Sequence, residues 1–283
     1  MARGEECMQP IADLHTHTIC SDGTLTPEQL VAKAKASGIT ILSVTDHDTV
    51  EGLERATACG NVNGISVLSG IEMSVAWNHR EIHLLGYCFN PNNAELQSCL
   101  EMFRVQRVQR AEKMVKKLNT MNIPLKFESV LEQAGNGVVC RPHIAEALVE
   151  KKFASSYSEV FQKYIADGGP AYEKKQEFPL EEAVKIISAA GGLSFLAHPA
   201  NNFTEKELFN IIKTGIDGIE ADHPSHSSSA QQYYRGITNE YYLLESGGSD
   251  FHGGLRCDEK NFGQCGISLQ SVERMRQRLY QNK

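Results

Sequence analysis

Short apolar runs alternate with amphipathic stretches along most of the chain. The runs Ile39–Val44, Ile65–Ser69 and Leu193–Leu196 are typical of buried strands. Between such runs apolar residues recur with helical spacing, as in Leu180–Ala190. Repeated β-then-α units predict an α/β protein with a parallel, barrel-like sheet. The other predicted strands are Gln9–Leu14, Gly218–Ala221, Tyr242–Glu245 and an extended pair at Glu72–Ala76 and Glu81–Cys88, and the other predicted helices are Val50–Ala58, Glu205–Thr214, Ser228–Asn239 and Val272–Tyr280.

The first predicted helix has signals at both ends. Thr26 is suited to the N-cap and Pro27 to the first helical position, and the helix extends to about Ser37, where Gly38 ends it.

Residues 93–178 interrupt the alternation, because they are helical in pattern throughout. We predict that residues 1–92 and 179–283 form the barrel and that residues 93–178 form a helical insertion capping its mouth. In such barrels the active site lies at the carboxyl ends of the strands. The predicted helices of the insertion are Ala94–Met121, Phe127–Gln133, His143–Lys151 and Tyr157–Ile165.

Composition narrows the class of function. The 283 residues are 41% hydrophobic, enough for a substantial core, and carry a formal charge of −7. Proteins that bind long nucleic acids usually present a strongly basic surface, so this charge argues against such a partner. A short anionic substrate is not excluded, because bound metal ions can supply local positive charge.

The eight cysteines contain no C-x-x-C pair and do not cluster. Met1–Pro10 contains no secretory signal and the chain has no long apolar run, so we expect reduced thiols, a cytoplasmic location and no membrane span. The cysteines are Cys7, Cys20, Cys59, Cys88, Cys99, Cys140, Cys257 and Cys265.

Histidines and carboxylates are concentrated where apolar runs end. His15 and His17 are two residues apart, so on an extended strand end both side chains point the same way, and Asp250 and His252 repeat this spacing. Divalent transition metals bind imidazole nitrogens and carboxylate oxygens, and several ions explain ligands spread over the whole chain. The motifs are Asp13-Leu14-His15-Thr16-His17, Ser21-Asp22-Gly23, Thr45-Asp46-His47-Asp48, Gly70-Ile71-Glu72, His83, Arg141-Pro142-His143, Ala197-His198-Pro199 and Ser249-Asp250-Phe251-His252.

This ordered set resembles that of the PHP (polymerase and histidinol phosphatase) superfamily, over nearly the whole chain. The resemblance implies a distorted seven-stranded β/α barrel with three divalent ions, often manganese. The helical insertion and the S-D-G and S-D-F-H motifs are similar to those of the stand-alone branch. Members of that branch dephosphorylate nucleoside 3′,5′-bisphosphates, and some act as 5′→3′ exonucleases on short RNA (the RNase AM type).

The resemblance also implies three groups of metal ligands, with Glu72 as a bridge because a carboxylate has two oxygens. Aspartate at position 22, where related branches have histidine, favours manganese or iron over zinc. The implied groups are His15, His17, Glu72 and Asp250; Asp22, His47 and His252; and Glu72, His83 and His143.

Four further residues are candidates for substrate contact or catalysis. Arg141 has a planar guanidinium suited to a phosphate, the alternative being a salt bridge at a helix start. His198, in an A-H-P sequence at a strand end, is expected to contact phosphate or to support a ligand. His223 or His226 could protonate the leaving alkoxide or hold the substrate, or both could belong to an ordinary polar loop.

Other polar residues have structural interpretations. Asp13, Asp46 and Asp48 are expected to support ligands, for example by accepting a histidine ring N–H, or to form turns and caps. His79 is expected in a hairpin loop. A basic stripe on the long insertion helix is expected to be a solvated face, the alternative being that it attracts an anionic substrate. The stripe consists of Arg104, Arg107, Arg110, Lys113 and Lys116.

The chain therefore predicts a metal-dependent hydrolase of phosphate esters. The main hypothesis is removal of the 3′-phosphate from nucleoside 3′,5′-bisphosphates, such as adenosine 3′,5′-bisphosphate to AMP, with exonuclease action on short RNA. The alternatives are a phosphatase for histidinol phosphate or another small molecule, and a non-catalytic metal-binding scaffold. The expected partner is a small phosphorylated substrate, not long nucleic acid or a membrane. Manganese is the expected metal, with Fe²⁺ and Zn²⁺ as alternatives.

Overall fold

The computed structural model describes residues 12–254 and 256–281. Within them seven strands form one sheet in chain order. The last strand returns to the first, since the Leu14 N–H donates to Gly247 O (3.1 Å) and the His17 N–H to Phe251 O (2.8 Å). The predicted α/β fold with a distorted seven-stranded barrel is confirmed. The strands are β1 (Ala12–Asp13), β2 (Ile41–Val44), β3 (Ser66–Trp77), β4 (Arg80–Tyr87), β5 (Leu193–Leu196), β6 (Gly218–Asp222) and β7 (Leu244–Gly247).

The strand β4 runs antiparallel to both β3 and β5. Its pairing with β3 agrees with the extended pair expected from the sequence, whereas its pairing with β5 departs from the predicted parallel sheet. The other neighbouring strands pair in parallel. Strands β3 and β4 are joined by Asn78 and His79, whose φ angles are 47° and 62°. Two consecutive residues of positive φ form the tight turn that joins antiparallel strands. The predicted strand Ile65–Ser69 is therefore continuous with the first arm of this hairpin.

Helices connect most of the successive strands along the chain. The cap of the first helix is confirmed, because the Gln29 N–H donates to Thr26 Oγ1 (3.2 Å). A π-helical turn at Phe161–Ile165 replaces the second half of the helix predicted at Tyr157–Ile165. The helices are α1 (Pro27–Ala36), α2 (Leu53–Asn63), α3 (Ala94–Thr120), α4 (Phe127–Ala134), α5 (Arg141–Glu150), α6 (Tyr157–Val160), α7 (Leu180–Ala189), α8 (Glu205–Ile212), α9 (Ser228–Glu240) and α10 (Leu269–Gln281).

The first part of the predicted strand Gln9–Leu14 and all of Cys7 lie outside the described residues. The other seven cysteines are free thiols. None of the helices in the described part of the chain is long and apolar enough to cross a membrane.

The segment between β4 and α7 has an apolar core of its own. Met114 and Leu118 of α3 pack there with Ile144 and Leu148 of α5, whereas Phe103, near the start of α3, belongs to the main core around the barrel. The long helix α3 thus connects the two cores. This arrangement supports the predicted capping insertion, whose boundaries stay a prediction.

A buried charge cluster joins α3 to the barrel. The Asp48 carboxylate accepts hydrogen bonds from Arg107 Nε (2.8 Å), Lys175 Nζ (2.7 Å) and the Ser74 N–H (2.7 Å). All three charged side chains are at most 8% exposed. Burial alone would raise the pKa of Asp48, but Lys175 and Arg107 outweigh it and hold the pKa well below the usual range. Asp48 is thus the carboxylate that both buried cations share.

Asp48→Ala is expected to lower the free energy of unfolding by about 3–5 kcal/mol, because it leaves two buried cations without their carboxylate. Urea denaturation of the metal-free protein measures the loss without a contribution from metal binding. Glu51→Ala is the matched control, since Glu51 pairs with Arg104 on the same helix (2.7 Å) but is about half exposed. Its loss should stay below about 1 kcal/mol. Equal losses in the two variants would contradict a structural role for Asp48.

Candidate metal centre

All of the candidate ligands except His143 meet at one end of the barrel, where the parallel strands have their carboxyl ends. Two of them, Glu72 and His83, lie within the antiparallel pair β3 and β4. The others follow strands: His15 and His17 follow β1, His47 follows β2, His198 follows β5, His223 follows β6, and Asp250 and His252 follow β7.

His15 and His17 direct their Nε2 atoms at the same two carboxylates. His15 Nε2 lies 3.3 Å from both Glu72 Oε2 and Asp250 Oδ1, and His17 Nε2 lies 3.2 Å from each. Both Nε2 atoms and Glu72 Oε2 are buried and lack a hydrogen-bond partner within the described residues. Because buried polar atoms are almost always satisfied, this convergence fits a metal ion at its centre.

The charges of the same group also fit a cation. Burial favours neutral His15, but Glu220, Glu72 and Asp250 outweigh it and raise the His15 pKa well above its usual value. Burial opposes the charge of Glu72 as well, yet the nearby histidines, led by His83, lower its pKa well below the usual range. The buried carboxylates of this group thus need positive charge nearby. Divalent ions would supply that charge in place of protonated histidines.

A second group surrounds Asp22. Asp22 Oδ1 lies 3.4 Å from His252 Nε2 and 3.9 Å from both His47 Nε2 and His17 Nδ1. Asp22 Oδ1 and His252 Nε2 are buried without hydrogen-bond partners in the described ranges. The group contains the three residues expected from the sequence, together with His17.

A third group forms on the other side of Glu72. His83 Nδ1 and His198 Nε2 lie 2.7 and 2.9 Å from Glu72 Oε1, and 3.2 Å from each other. His47 Nδ1 lies 3.1 Å from Glu72 Oε2. Glu72 thus contacts the candidate ligands of the first and third groups with its two oxygens, as expected for a bridge.

His143 and His198 differ from their expected positions. His143 is not part of any group of candidate ligand atoms found in the described residues. It lies in the first turn of α5, where its Nδ1 accepts a hydrogen bond from the Cys140 N–H (3.0 Å). His198 is likewise outside these groups, and His47 completes the one around Glu72 and His83. His198 Nε2 nevertheless lies 2.9 Å from Glu72 Oε1 and 3.2 Å from His83 Nδ1, so distance favours His198, which was expected to contact phosphate or support a ligand, over His143 as their partner.

Glu220 is a site residue that the sequence analysis missed. Its Oε1 lies 2.9 Å from His15 Nδ1, and its Oε2 accepts a hydrogen bond from the His198 N–H (2.7 Å). A carboxylate at Nδ1 keeps the proton there and leaves the Nε2 lone pair for a metal. The sequence feature that could have identified Glu220 is its charge within the apolar strand β6, because a buried carboxylate is rarely left without a partner.

The neighbouring aspartates hold loops rather than imidazoles. Asp13 accepts hydrogen bonds from the Ser249 N–H (3.0 Å) and hydroxyl (2.6 Å), and burial raises its pKa to about 7. Asp46 accepts from the Thr18 N–H (2.7 Å) and from the hydroxyls of Thr18 (2.6 Å) and Ser21 (2.5 Å). In place of these aspartates, Glu220 accepts the histidine ring N–H.

His223 and His226 have different surroundings. His223 Nδ1 accepts the Ser225 N–H (3.0 Å), so its proton is on Nε2, which lies 3.4 Å from Asp250 Oδ2. His226 donates from Nδ1 to Ala221 O (2.9 Å) and accepts the Ala200 N–H at Nε2 (3.0 Å). These backbone partners occupy both nitrogens, so the expectation that His226 acts on substrate is not supported by its geometry. His223 faces the cluster.

A basic cavity of about 240 Å³ adjoins the cluster at Asp22, His47 and His83. Arg141 lines it and pairs there with the exposed Asp167. Arg256 also lines it and donates to Asp22 Oδ2 (2.5 Å); nothing in the sequence singled out this arginine. The arginine side chains that line the cavity are Arg107, Arg110, Arg141 and Arg256.

The basic stripe of α3 is divided between two environments. Arg104 and Lys113 are half exposed or more and pair with surface carboxylates, as expected for a solvated face. Arg107 is buried, and Arg110 is partly buried with an Nη2 atom that lacks a partner among the described residues. The alternative interpretation, attraction of an anionic substrate, is thus supported for part of the stripe.

Comparisons with known proteins identify the family of the chain. A model of the PHP domain matches residues 13–167, more than half of the chain. The chain is 33% identical to a 3′,5′-nucleoside bisphosphate phosphatase of Chromobacterium violaceum, over 85% of this chain and 86% of that protein. It is 33% identical to the 5′-3′ exoribonuclease Rnm of Escherichia coli, over 86% and 85% of the two chains.

A solved structure is similar over the whole fold. A protein from Bifidobacterium adolescentis, classed by its name with metal-dependent phosphoesterases, superposes with a TM-score of 0.88 at 28% identity, over 94% of this chain and 96% of that one. The matched family model, the relatives and the shared fold together show that the chain belongs to the PHP domain family.

Proposed function

We propose that this protein is a metal-dependent phosphoesterase that removes the 3′-phosphate of nucleoside 3′,5′-bisphosphates and cleaves short RNA from its 5′ end. The observation that carries the proposal is a buried cluster of unpartnered ligand atoms directly beside a cavity lined by four guanidinium groups. The named activities of the bacterial relatives support the same choice of substrate.

We propose three divalent ions, with manganese preferred. His15, His17, Glu72 and Asp250 would hold the first. Asp22, His47 and His252 would hold the second, and Glu72, His83 and His198 the third. Bound ions of this kind lower the pKa of a water ligand and polarise phosphoryl oxygens. The mixture of carboxylate and imidazole donors fits manganese or iron.

The chain's own cations would bind the phosphate that is not hydrolysed. Arg107 is engaged by Asp48, Ser74 and Cys140. Arg110 has an unpartnered Nη2 among the described residues, and Arg141 has only the exposed Asp167 as its ion-pair partner. Arg141 and Arg110 therefore have donors for a second phosphate, which a nucleoside bisphosphate carries at its 5′ position.

His223 would hold a proton near the reacting atoms. Its Nδ1 is fixed as an acceptor by the Ser225 N–H, which leaves the Nε2 proton facing Asp250. Hydrolysis of the 3′-phosphate breaks the bond between phosphorus and the ribose 3′-oxygen, and this oxygen must gain a proton. We propose that the N–H at His223 Nε2 hydrogen-bonds this oxygen and that solvent water supplies the proton, because a neutral imidazole does not give up its N–H proton. His226 would act indirectly, by fixing the backbone at Ala200.

Adenosine 3′,5′-bisphosphate is expected to be hydrolysed to 5′-AMP with a much higher kcat/KM than histidinol phosphate. Histidinol phosphate carries its own ammonium group, which the cations and guanidinium groups of the site would repel. Arg141→Ala should lower kcat/KM for the bisphosphate more than tenfold, corresponding to one charge-assisted contact of about 1.5–3 kcal/mol. Phosphate release and chromatography of the nucleotide product measure both effects.

Arg104→Ala is the matched control for this test. Arg104 is an exposed arginine on α3 that pairs with Glu51 and does not line the cavity. It should leave the kinetics close to those of the unmodified protein. Faster turnover of histidinol phosphate, or equal effects of the two substitutions, would show that the substrate has been misassigned.

A further inference from the structure

A groove of about 320 Å³ leads away from the third ligand group, on the side of the Arg80 end of β4. We name it the β4–β5 groove. Its lining includes Arg80, Ile82, His83, His198, Asn202 and Phe203.

The inner end of the groove is the candidate metal centre. His83 and His198 line it, and both contact Glu72 Oε1, at 2.7 and 2.9 Å. His83 also lines the basic cavity described above. The cavity and the groove therefore share His83 as a lining residue, so a phosphate bound at the third ligand group would adjoin both spaces.

The outer end of the groove has the chemistry of a base-stacking surface. The Phe203 ring is partly buried, and the Arg80 guanidinium lies 5.2 Å from its centroid. Arg80 is held in place by Glu207 Oε1 (2.9 Å) and Asn202 O (3.1 Å), and Trp77 contacts the ring edge-on with centroids 6.3 Å apart. Bases stack on aromatic rings and on arginine planes with little dependence on sequence.

Charge on the groove is mixed. Arg80 is balanced by Glu207, and Glu81 also belongs to the lining. A ligand held mainly by phosphate contacts would need a strongly basic track, so stacking fits this surface better than backbone recognition does.

We propose that the β4–β5 groove binds the second nucleoside of a short 5′-phosphorylated RNA while the first occupies the basic cavity. The proposal rests on the proposed function. Water adds to the bridging phosphorus, the bond to the 3′-oxygen of the first nucleotide breaks, and that oxygen takes a proton. The phosphate stays on the second nucleotide as its 5′-phosphate, so the shortened RNA has the end needed for another round.

Phe203→Leu tests the stacking surface while keeping an apolar side chain against the core. The substrates are adenosine 3′,5′-bisphosphate, 5′-phosphorylated ApA, and the same dinucleotide without its second base. We expect kcat/KM for the dinucleotide, relative to the bisphosphate, to fall about fivefold or more in the variant. The unmodified protein should show a similar loss when the second base is removed, and the variant should show no further loss.

Phe209→Leu is the matched control, because Phe209 is also a partly exposed ring with a cation above it, Lys213 at 4.3 Å, and lies outside the groove. It should leave the ratio between the two substrates unchanged. An unaltered ratio in Phe203→Leu, or full activity on the dinucleotide lacking its second base, would overturn the groove assignment. Absence of bisphosphate hydrolysis by the unmodified protein would instead refute the proposed function.

Arg80→Gln gives a second test that does not alter the aromatic ring. We expect it to lower the same ratio, with the change mainly in KM for the dinucleotide. Arg55→Gln is its control, since Arg55 forms a tertiary ion pair with Glu28 (2.8 Å) at nearly the same exposure, 47% against 45%. Equal effects of these two substitutions would count against the proposal.

Discussion

Removal of divalent ions is expected to abolish phosphatase activity, and Mn²⁺ is expected to restore it best. Among the described residues, several buried ligand atoms at the barrel mouth, including His15 Nε2, His17 Nε2 and Glu72 Oε2, have no hydrogen-bond partner without an ion. Activation of water at neutral pH and neutralisation of the phosphate both depend on metal ions in a site of this kind. Elemental analysis of the purified protein should find two to three divalent ions per chain, and phosphate release after chelation measures the loss.

The chelated protein must remain folded for this result to be informative, and circular dichroism provides that control. Mg²⁺ should restore little activity, because it binds imidazole poorly. Full activity in demonstrably metal-free protein would refute the metal assignment and the mechanism together.

Glu72→Ala is expected to lower kcat roughly a thousandfold or more and to remove more than one ion per chain. The reason is that Glu72 lies between the first and third ligand groups. Its Oε2 faces His15 and His17, and its Oε1 faces His83 and His198. Loss of one carboxylate thus removes a ligand from two proposed sites. Glu72→Gln should also fail, because one of its two ligand atoms becomes an N–H donor.

His79→Ala is the control for Glu72. His79 lies in the hairpin turn with its side chain 87% exposed, and its ion-pair partner is the surface residue Glu177. Metal content and activity should stay close to those of the unmodified protein. A mild loss of the same size in both variants would mean that Glu72 does not bridge.

Local sequence signals predicted most of the fold because they depend on short-range chemistry. The strand Leu193–Leu196 and the start of α3 at Ala94 agree with the structure. The hairpin of β3 and β4 was expected from the sequence, but the antiparallel pairing of β4 with β5 was not, because it depends on how the insertion returns the chain to the sheet. Likewise, nothing in an apolar pattern separates an α-helical turn from the π-helical turn at Phe161–Ile165.

The candidate ligands were predicted from their order along the chain, and the structure brings eight of the nine together. The exception is His143, because a histidine at a helix start can serve either as a metal ligand or as a cap. Here its ring accepts the Cys140 N–H and caps the helix. Glu220 and Arg256 were missed because their roles arise only when distant segments meet, at His15 and at Asp22. The assignment of all these residues to metal or substrate stays a prediction.

The span of the ligand set along the chain has a consequence for biosynthesis. The first proposed ion needs His15 and Asp250, and the second needs Asp22 and His252, so each is enclosed by residues from opposite ends of the sequence. A nascent chain on the ribosome cannot complete either site until β7 and the loop after it have emerged. Products of premature termination before residue 250 should therefore carry a paired His15 and His17 without Asp250, and should not retain the ions that the finished protein holds.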